Sequence, residues 1–311
     1  MSGAVAQNLT FARCLACQGG PLAEAAGAVI CQQCRQSYDV AGGVPLLVRD
    51  ARHNEEELSA ARAVNPAWYV EEQPPEAISP WRHHMARRRR YVAATLKREL
   101  AARGYERAAA LLDLGCGDGN HTAWLAAFAD RIYGSDYNIV RLARAHSLNK
   151  TATLFLADIL DYPARDAFFD VVFFNHVIEH IPNDAGALAE IYRIMAPGGL
   201  LILGTPNEGS WWWQIAYRRA PHVRASTDHV HFYTAETLTA KIVAAGFKVT
   251  EVEHTGFGPP DFAWDMRLRP YKILDTAFEW IGRALAPRQA SSLYVIAEKP
   301  AAPQPAKPGG S

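Results

Sequence analysis

The residues best suited to chemistry on a bound ligand form a glycine loop. Residues 111–120 read Leu-Leu-Asp-Leu-Gly-Cys-Gly-Asp-Gly-Asn, with Gly115, Gly117 and Gly119 alternating. Glycines so placed let the chain turn sharply and let a ligand come close to main-chain N–H groups. The spacing is Gly-x-Gly-x-Gly, not the Gly-x-Gly-x-x-Gly of the dinucleotide fingerprint. Asp113 closes an apolar run, Ala108 to Leu112, that reads as a buried strand. Asp136 ends a second run, Arg131 to Ser135, 23 residues further on (136 − 113). Ribose-binding acids of nucleotide-binding sheets fall at about that separation.

Four of the five cysteines form two Cys-x-x-Cys pairs, Cys14/Cys17 and Cys31/Cys34, with 13 residues (18 to 30) between them. Two such turns offer four thiolates, which satisfy tetrahedral zinc and leave no open position, so a structural metal is expected. A segment of about 40 residues has too small a core to hold itself without a staple of this kind. Disulfides and a redox pair are the competing readings; the duplicated motif and an expected cytoplasmic setting favour metal. Cys116, inside the glycine loop, is expected to be a small packing residue.

Two further stretches carry groups able to move protons: Asn175-His-Val-Ile-Glu-His-Ile-Pro182 and Ser226-Thr-Asp-His-Val-His-Phe-Tyr233. His176-x-x-Glu179-His180 spells the inverted zinc-protease motif, which needs a continuous helix. Here the motif follows a strand directly and meets Pro182, so a protease is not expected. His229 and His231 alternate, so in an extended chain they point to opposite sides and only one faces a given pocket. The bland alternative is that His180 and His229 are satisfied structural histidines.

Alternating elements must position these groups. The pattern gives strands at 109–114, 131–135, 153–157, 169–174 and 199–204, and helices at 120–129, 138–147 and 184–195. Such alternation implies a parallel sheet covered on both faces, with ligands at the carboxyl ends of its strands. Thr234 to Ala245 reads as a helix opened by a threonine cap and ended by Gly246; strands at 247–253 and 292–298 close the sheet. Trp81 to Leu100 reads as a helix with a cationic start, Arg82 to Arg90. Its bland reading is a solvated face; the sharper ones are an RNA patch or an arginine reaching the ligand. Tyr271 to Leu285 reads as a largely amphipathic helix that covers the core, rests on a lipid surface or caps a lipid-like substrate. Trp211-Trp-Trp213, Phe257 and Pro259-Pro260 suggest an aromatic, apolar entrance.

The glycine loop resembles motif I of the class I S-adenosylmethionine-dependent methyltransferases. Three later stretches resemble that family in order: Leu154-Phe-Leu-Ala-Asp158, Phe169-Asp-Val-Val-Phe-Phe-Asn175 and Met195-Ala-Pro-Gly-Gly-Leu200. The resemblance covers roughly residues 80–299. It implies a Rossmann-like α/β fold, a seven-stranded sheet with helices on both faces, binding S-adenosylmethionine. Asp113 is then expected near the ligand's ammonium, directly or through water, with Gly115, Gly117 and Gly119 close to its amino acid end. Asp136 is expected to accept from the ribose hydroxyls and Asp158 from the adenine amino group. Tyr137 and Ile159 are expected to pack the adenine faces, and Asn175 to end the strand over the methyl group.

The Glu-His pair, Glu179 and His180, resembles that of ubiquinone-type O-methyltransferases, where the segment floors the active site. The stretch around His229 resembles the segment before the penultimate helix of the same relatives. His180, His229 or Glu179 is therefore expected to serve as base or to orient the acceptor. Some small-RNA 3′-end methyltransferases hold a divalent ion through a similar pair; His176 stands here where those carry another glutamate, which weakens a catalytic metal. Cys14 to Val48 resembles the zinc ribbon of the small activator subunit of tRNA, rRNA and release-factor methyltransferases, without the first proline of its Tyr-Pro-Ile-x-x-Gly-Ile-Pro pattern. The expected organisation is a zinc-ribbon module at 1–50, a linker at 51–80, a methyltransferase domain at 81–299 and a disordered tail at 300–311.

The chain has 311 residues, of which 49% are hydrophobic, and its 32 basic and 32 acidic residues cancel. Such a balance gives no global attraction to nucleic acid. No apolar run approaches the ~20 residues needed to span a bilayer, and the first residues lack the basic and apolar regions of a signal peptide. A cytoplasmic enzyme is expected, acting on a small-molecule, lipid-linked or saccharide-linked oxygen. An RNA-base methyltransferase that clamps its substrate with the ribbon, and a non-catalytic binding protein, are the alternatives. The oligomeric state is not legible.

Overall fold

The computed structural model describes residues 9–25, 27–52, 54, 56, 59, 70–72, 76–219, 221–225, 227–259 and 262–301. Much of the linker expected at 51–80 lies outside the described residues. So do residues 302–311 of the tail, Ser226, Pro260 and the side chain of Trp212.

The N-terminal segment forms β1 (Leu22–Ala25), β2 (Ala28–Cys31) and β3 (Ser37–Tyr38), an antiparallel sheet, followed by the hairpin of β4 (Val40–Ala41) and β5 (Val44–Pro45). Gly42 and Gly43 both sit at positive φ between the hairpin strands, as a type I′ turn requires. The remainder runs α1 (Arg82–Ala102), β6 (Ala108–Leu114), α2 (Asn120–Leu125), β7 (Ala129–Asp136), α3 (Ile139–Leu148), β8 (Thr153–Leu156), β9 (Phe169–Asn175), α4 (Asp184–Ile194) and β10 (Met195–Pro206). It continues with α5 (Trp211–Arg219), α6 (Pro221–Ala225), α7 (Ala235–Ala244), β11 (Lys248–Thr255), α8 (Phe262–Leu268), α9 (Lys272–Leu285) and β12 (Ser292–Glu298).

The central sheet has seven strands in the order β11-β12-β10-β9-β6-β7-β8. β12 runs antiparallel to both its neighbours, while β10, β9, β6, β7 and β8 are parallel. The order reverses direction between β6 and β9, so the crevice above their carboxyl ends is the topological switch point. Leu111, Leu112, Val171, Val172 and Leu201 are all 1% exposed or less. These runs are apolar on both faces because helices cover both.

Two element boundaries differ from the sequence pattern for identifiable reasons. The helix expected at 120–129 stops at Leu125 and tightens into a 3₁₀ turn, Ala126–Phe128. The guanidinium of Arg107 takes the carbonyls of Ala126, Ala127 and Ala129, which satisfies the helix end and starts β7 early. β10 begins at Met195, which pairs with Phe169 before a register shift at Leu200. Thr234 caps α7 as expected, in a reciprocal bond with Thr237. Helices α5, α6 and α8 were not expected; the tryptophan-rich and proline-flanked runs read as loops, and packing overrides such weak local preference.

The N-terminal segment is fastened to the outer edge of the sheet. Leu47 N donates to Leu156 O at 2.9 Å and Leu46 bridges Leu156, so residues 46–47 cover the β8 edge. Arg13 N donates to Pro163 O and Arg165 N to Phe11 O, each at 2.8 Å. Phe11 is fully buried, 4.5 Å from Phe155 and 5.1 Å from Tyr133 between ring centroids. One apolar core therefore runs from Leu9 through the cysteine segment into the sheet. Phe11→Ala should cost about 3–5 kcal/mol and lower the urea midpoint of a single transition seen by both near- and far-ultraviolet dichroism. A separate early transition confined to the N-terminal segment would contradict the shared core.

Candidate active site and cysteine cluster

At the carboxyl ends of β6, β7 and β8, parallel register sets Leu114 against Ser135 and Asp136 against Leu156. The loop after β6 has Gly115, Gly117 and Gly119 at φ +74°, +53° and +80°, values that non-glycine residues rarely adopt. A Cβ on Gly115 would stand 2.3 Å from Val177, and one on Gly119 2.4 Å from Asn149. The glycines are thus needed by the fold as well as by any ligand. The loop's N–H groups correct one expectation. Gly115 N and Cys116 N donate to Ser135 O, Gly117 N to Asp136 Oδ2 and Gly119 N to Cys116 O. These amides are spent inside the protein, so the glycines act by shape and not by offering N–H donors. Cys116 is buried, as expected of a packing residue.

Asp136 accepts from Gly117 N through Oδ2 and from Asn138 N through Oδ1, both at 2.8 Å. The carboxylate is fixed across the loop and the start of α3, and ionised oxygens can accept more than one bond each. Asp158 accepts from Leu160 N at 2.8 Å and caps the 3₁₀ turn Ile159–Asp161. Tyr137 and Ile159 are half-buried beside these acids. Two strand-end carboxylates above a glycine loop at the switch point fit a nucleoside with a ribose diol and an amino-bearing base.

Asp113 differs from expectation. It is 2% exposed, and its Oδ2 accepts from Thr122 Oγ1 at 2.6 Å. Burial, aided by the Asp136 charge and opposed by the Thr122 hydroxyl, pushes its carboxyl up to about 7. It faces α2 and braces the loop through Thr122.

β9 delivers a second set of groups. Asn175 Oδ1 accepts from Arg88 Nη2 at 3.3 Å, and Gly204 makes room, since a Cβ there would lie 2.2 Å from that oxygen. His176 follows at φ +55°, a strained value for a non-glycine residue. Its Nε2 accepts from Arg88, which also lies over the Tyr294 ring and donates to the Tyr294 hydroxyl. Arg88 is thus the arginine of the cationic helix that reaches the site. Burial and the neighbouring Arg88 charge hold His176 below its ordinary pKa.

Glu179 is 1% exposed. Its Oε2 accepts from Thr205 Oγ1 at 3.1 Å, and its carbonyl accepts from Val230 N and His231 N. Those backbone bonds clamp the second histidine stretch onto the first. Oε1 has no hydrogen-bond partner; His176 Nδ1 stands 3.2 Å away but out of line. His180 and His229 meet edge to face with ring centroids 4.9 Å apart. His180 Nδ1 stands 3.2 Å from Asp228 Oδ1. His231 turns away, to Pro182 O at 3.1 Å, as the alternation implied. Burial lowers His180, but the Asp228 bond and the Glu179 and Asp228 charges outweigh it and leave the imidazole above its ordinary pKa. Burial holds His229 below its own. Side-chain donors of Glu179, His180 and His229 lie within 4.8 Å of one another, a set able to take a divalent cation.

In the N-terminal segment, Cys14, Cys17, Cys31 and Cys34 also bring their sulfurs within 4.8 Å of one another, unbonded. Cys14 Sγ is 3.6 Å from Cys34 Sγ, and Cys17 Sγ 3.7 Å from Cys31 Sγ. Zinc–sulfur bonds of about 2.3 Å give tetrahedral edges of about 3.8 Å, so the donor set fits zinc. Gly20 leaves space for the sulfurs, since a Cβ there would lie 2.3 Å from Cys31 Sγ. Tyr38 Oη accepts from Leu15 N and lies 3.2 Å from Cys14 Sγ, a support that sequence spacing did not reveal. A cavity of about 480 Å³ opens at the opposite, amino-terminal edge of the sheet, between Arg103, Asp130, Asp170 and Gly198. It touches none of these groups.

A family profile described as a methyltransferase domain matches residues 82–252, more than half of the chain. The chain belongs to this methyltransferase family. It is similar to a probable S-adenosylmethionine-dependent methyltransferase of Mycolicibacterium smegmatis, 28% identical over 141 residues that cover 45% of this chain and 52% of that one. The chain therefore spans about half the length of that curated relative. A ubiquinone biosynthesis O-methyltransferase of Cereibacter sphaeroides is 25% identical over 63% of this chain and 81% of its own. Among solved structures, the (4+2)-cyclase SpnF shares the fold with a TM-score of 0.50 at 18% identity, covering 80% of this chain and 93% of that one. The strand-end acids Asp136 and Asp158 fit a nucleoside such as the S-adenosylmethionine that the Mycolicibacterium relative's description names.

Two measurements probe these placements. In the folded methyltransferase Asp113 keeps its proton from its ordinary 3.8 up to about 7. The folded form then binds more protons than the unfolded one, so this group's contribution to stability falls as pH rises through that window. Asp113→Asn should flatten that part of the Tm–pH profile; an unchanged slope would count against the buried, protonated carboxyl. Asp136→Ala should weaken S-adenosylhomocysteine binding at least about tenfold by calorimetry, the loss of a charge-assisted hydrogen bond. Unchanged affinity would refute a ribose role.

Proposed function

We propose that this methyltransferase methylates an oxygen of a small-molecule, lipid-linked or saccharide-linked acceptor, with His229 receiving the acceptor's proton and His180 orienting the hydroxyl. The observation that carries the reading is the pairing of His180 and His229 over the buried Glu179, beside the end of β9. The opposite pKa directions of the two imidazoles support a division of labour. Neutral His229 can take a proton near neutral pH, while His180, held by Asp228, can donate a hydrogen bond. The ubiquinone O-methyltransferase relative supports an oxygen acceptor.

Bound S-adenosylmethionine supplies a methyl group already activated on a sulfonium. The chain's own work is then alignment and exclusion of water. Asp136 and Asp158 would hold the nucleoside, while Arg88 and Asn175 fix the end of β9 toward the transferred group. The His229 imidazole would take the hydroxyl proton as the acceptor oxygen gains the methyl group and the methyl–sulfur bond breaks, leaving a neutral thioether.

His229→Ala should lower kcat by about 10²–10⁴ with little change in cofactor affinity, and the loss should shrink at high pH, where the acceptor ionises unaided. An unchanged kcat would sink the assignment. Should EDTA abolish turnover and a divalent cation restore it, Glu179, His180 and His229 would act as ligands and the base reading would be withdrawn. Cys14, Cys17, Cys31 and Cys34 are proposed to hold a structural zinc. The purified chain should contain about one zinc, and its removal should lower the Tm of the whole molecule because Phe11 ties the ribbon to the sheet. A zinc-free chain of unaltered Tm would contradict this.

A further inference from the structure

Helix α9 is built inside out. Its acids point inward: Asp275 is 0% and Glu279 5% exposed. Arg87 of α1 pairs with both, Arg269 Nη1 reaches Asp275 Oδ1 at 3.3 Å, and the N–H groups of Gly256 and Phe257 reach Glu279 Oε2 at 3.3 Å. Gly282 rests on the Phe257 ring, where a Cβ would stand 2.2 Å away. At 3.6 residues per turn, residues 275, 279 and 282 share one face. The opposite face carries Ile273, Trp280 and Ile281, with Leu285 at its flank; Ile273 is 83%, Trp280 74% and Leu285 80% exposed. The preceding helix adds exposed Trp264. A helix that spends buried ion pairs to hold such a stripe outward is not covering this protein's own core. The core-covering expectation for this helix is therefore corrected.

Charge says what the stripe meets. Between residues 263 and 289 the acids are Asp265, Asp275 and Glu279, all buried. The exposed charges of this stretch are the cations Arg267, Lys272, Arg283 and Arg288, of which Arg283 is paired with Glu253 and Glu279, leaving Arg267, Lys272 and Arg288 as the charges that flank the stripe. Aromatic and aliphatic side chains projecting between cations form the surface that sits at an anionic lipid headgroup layer. A second copy of the chain fits poorly, because a two-fold contact would oppose like cations. Residues 302–311 contain no large apolar side chain to fill the stripe. We infer that α8 and α9 dock this methyltransferase peripherally on an anionic phospholipid bilayer, the stripe entering the headgroup region.

The docking also has a consequence for the active site. Arg87 anchors α9, and the adjacent Arg88 holds Asn175 and His176. One helix thus ties the lipid-facing element to the catalytic floor, and a bilayer would present amphiphilic acceptors beside it. Binding itself does not depend on the acceptor, so it is measured without turnover.

The test is flotation of the full chain with phosphatidylglycerol vesicles and with phosphatidylcholine vesicles. The chain should float with the first and not the second, and high salt should weaken the association. Ile273→Glu with Trp280→Glu should reduce binding at least about tenfold, with dichroism and Tm unchanged because both side chains are exposed. Lys272→Glu with Arg267→Glu, which leaves the stripe intact, should reduce binding to phosphatidylglycerol as well. No flotation with phosphatidylglycerol at low salt, or equal flotation by all variants, would overturn the proposal. So would a concentration-dependent dimer in sedimentation that Trp280→Glu dissociates, since it would assign the stripe to a second copy.

Discussion

The arrangement depends on how Asp136 is held. Its two oxygens take the N–H groups of Gly117 and Asn138, one from the loop after β6 and one from the start of α3. A carboxylate at the end of a buried parallel strand is costly unless it is bonded in this way. Once bonded, it locks two loops at the switch point and keeps further lone pairs able to accept. The positive-φ glycines belong to the same constraint. They let the chain fold back so that Gly117 N can reach the acid, while the neighbouring amides close on Ser135 O.

Glu179 applies the same logic on the other half of the sheet. Its buried carboxylate ties Thr205 to the end of β9, and its carbonyl draws in residues 230 and 231. That clamp, together with the contact of His180 to Asp228, brings His229 beside His180. The carboxylate also sets the local electrostatics. It supports protonation of His180, with Asp228, while Arg88 opposes protonation of His176. Asp275 and Glu279 repeat the pattern at α1, where arginines make buried acids tolerable and turn apolar residues outward.

Much of this was legible in the sequence. The strands at 109–114, 169–174 and 292–298 announced themselves as apolar runs, and Gly115, Gly117, Gly119 and Asp136 marked the carboxyl ends of β6 and β7. The cysteine pairs predicted a four-sulfur cluster because ligand geometry constrains sequence tightly. Other features were not legible. Thr122 as the partner of Asp113, Thr205 as the partner of Glu179 and Arg88 as the chosen arginine all depend on contacts between distant elements. Nothing local separates Arg88 from Arg87 or Arg89. The amphipathic pattern of residues 271–285 was visible, but a pattern cannot say which face points inward; the arginines of α1 decide that. Helix α5 is not visible in the sequence because three successive tryptophans carry no helical period of their own.

The account rests most on S-adenosylmethionine lying across the carboxyl ends of β6, β7 and β8. A crystal structure of the chain with S-adenosylhomocysteine tests it most directly. Density for the ribose hydroxyls against Asp136, with the adenine beside Asp158 and the sulfur facing His180 and His229, is the predicted result. The nucleoside bound elsewhere, or that crevice filled by side chains at saturating ligand, would contradict it.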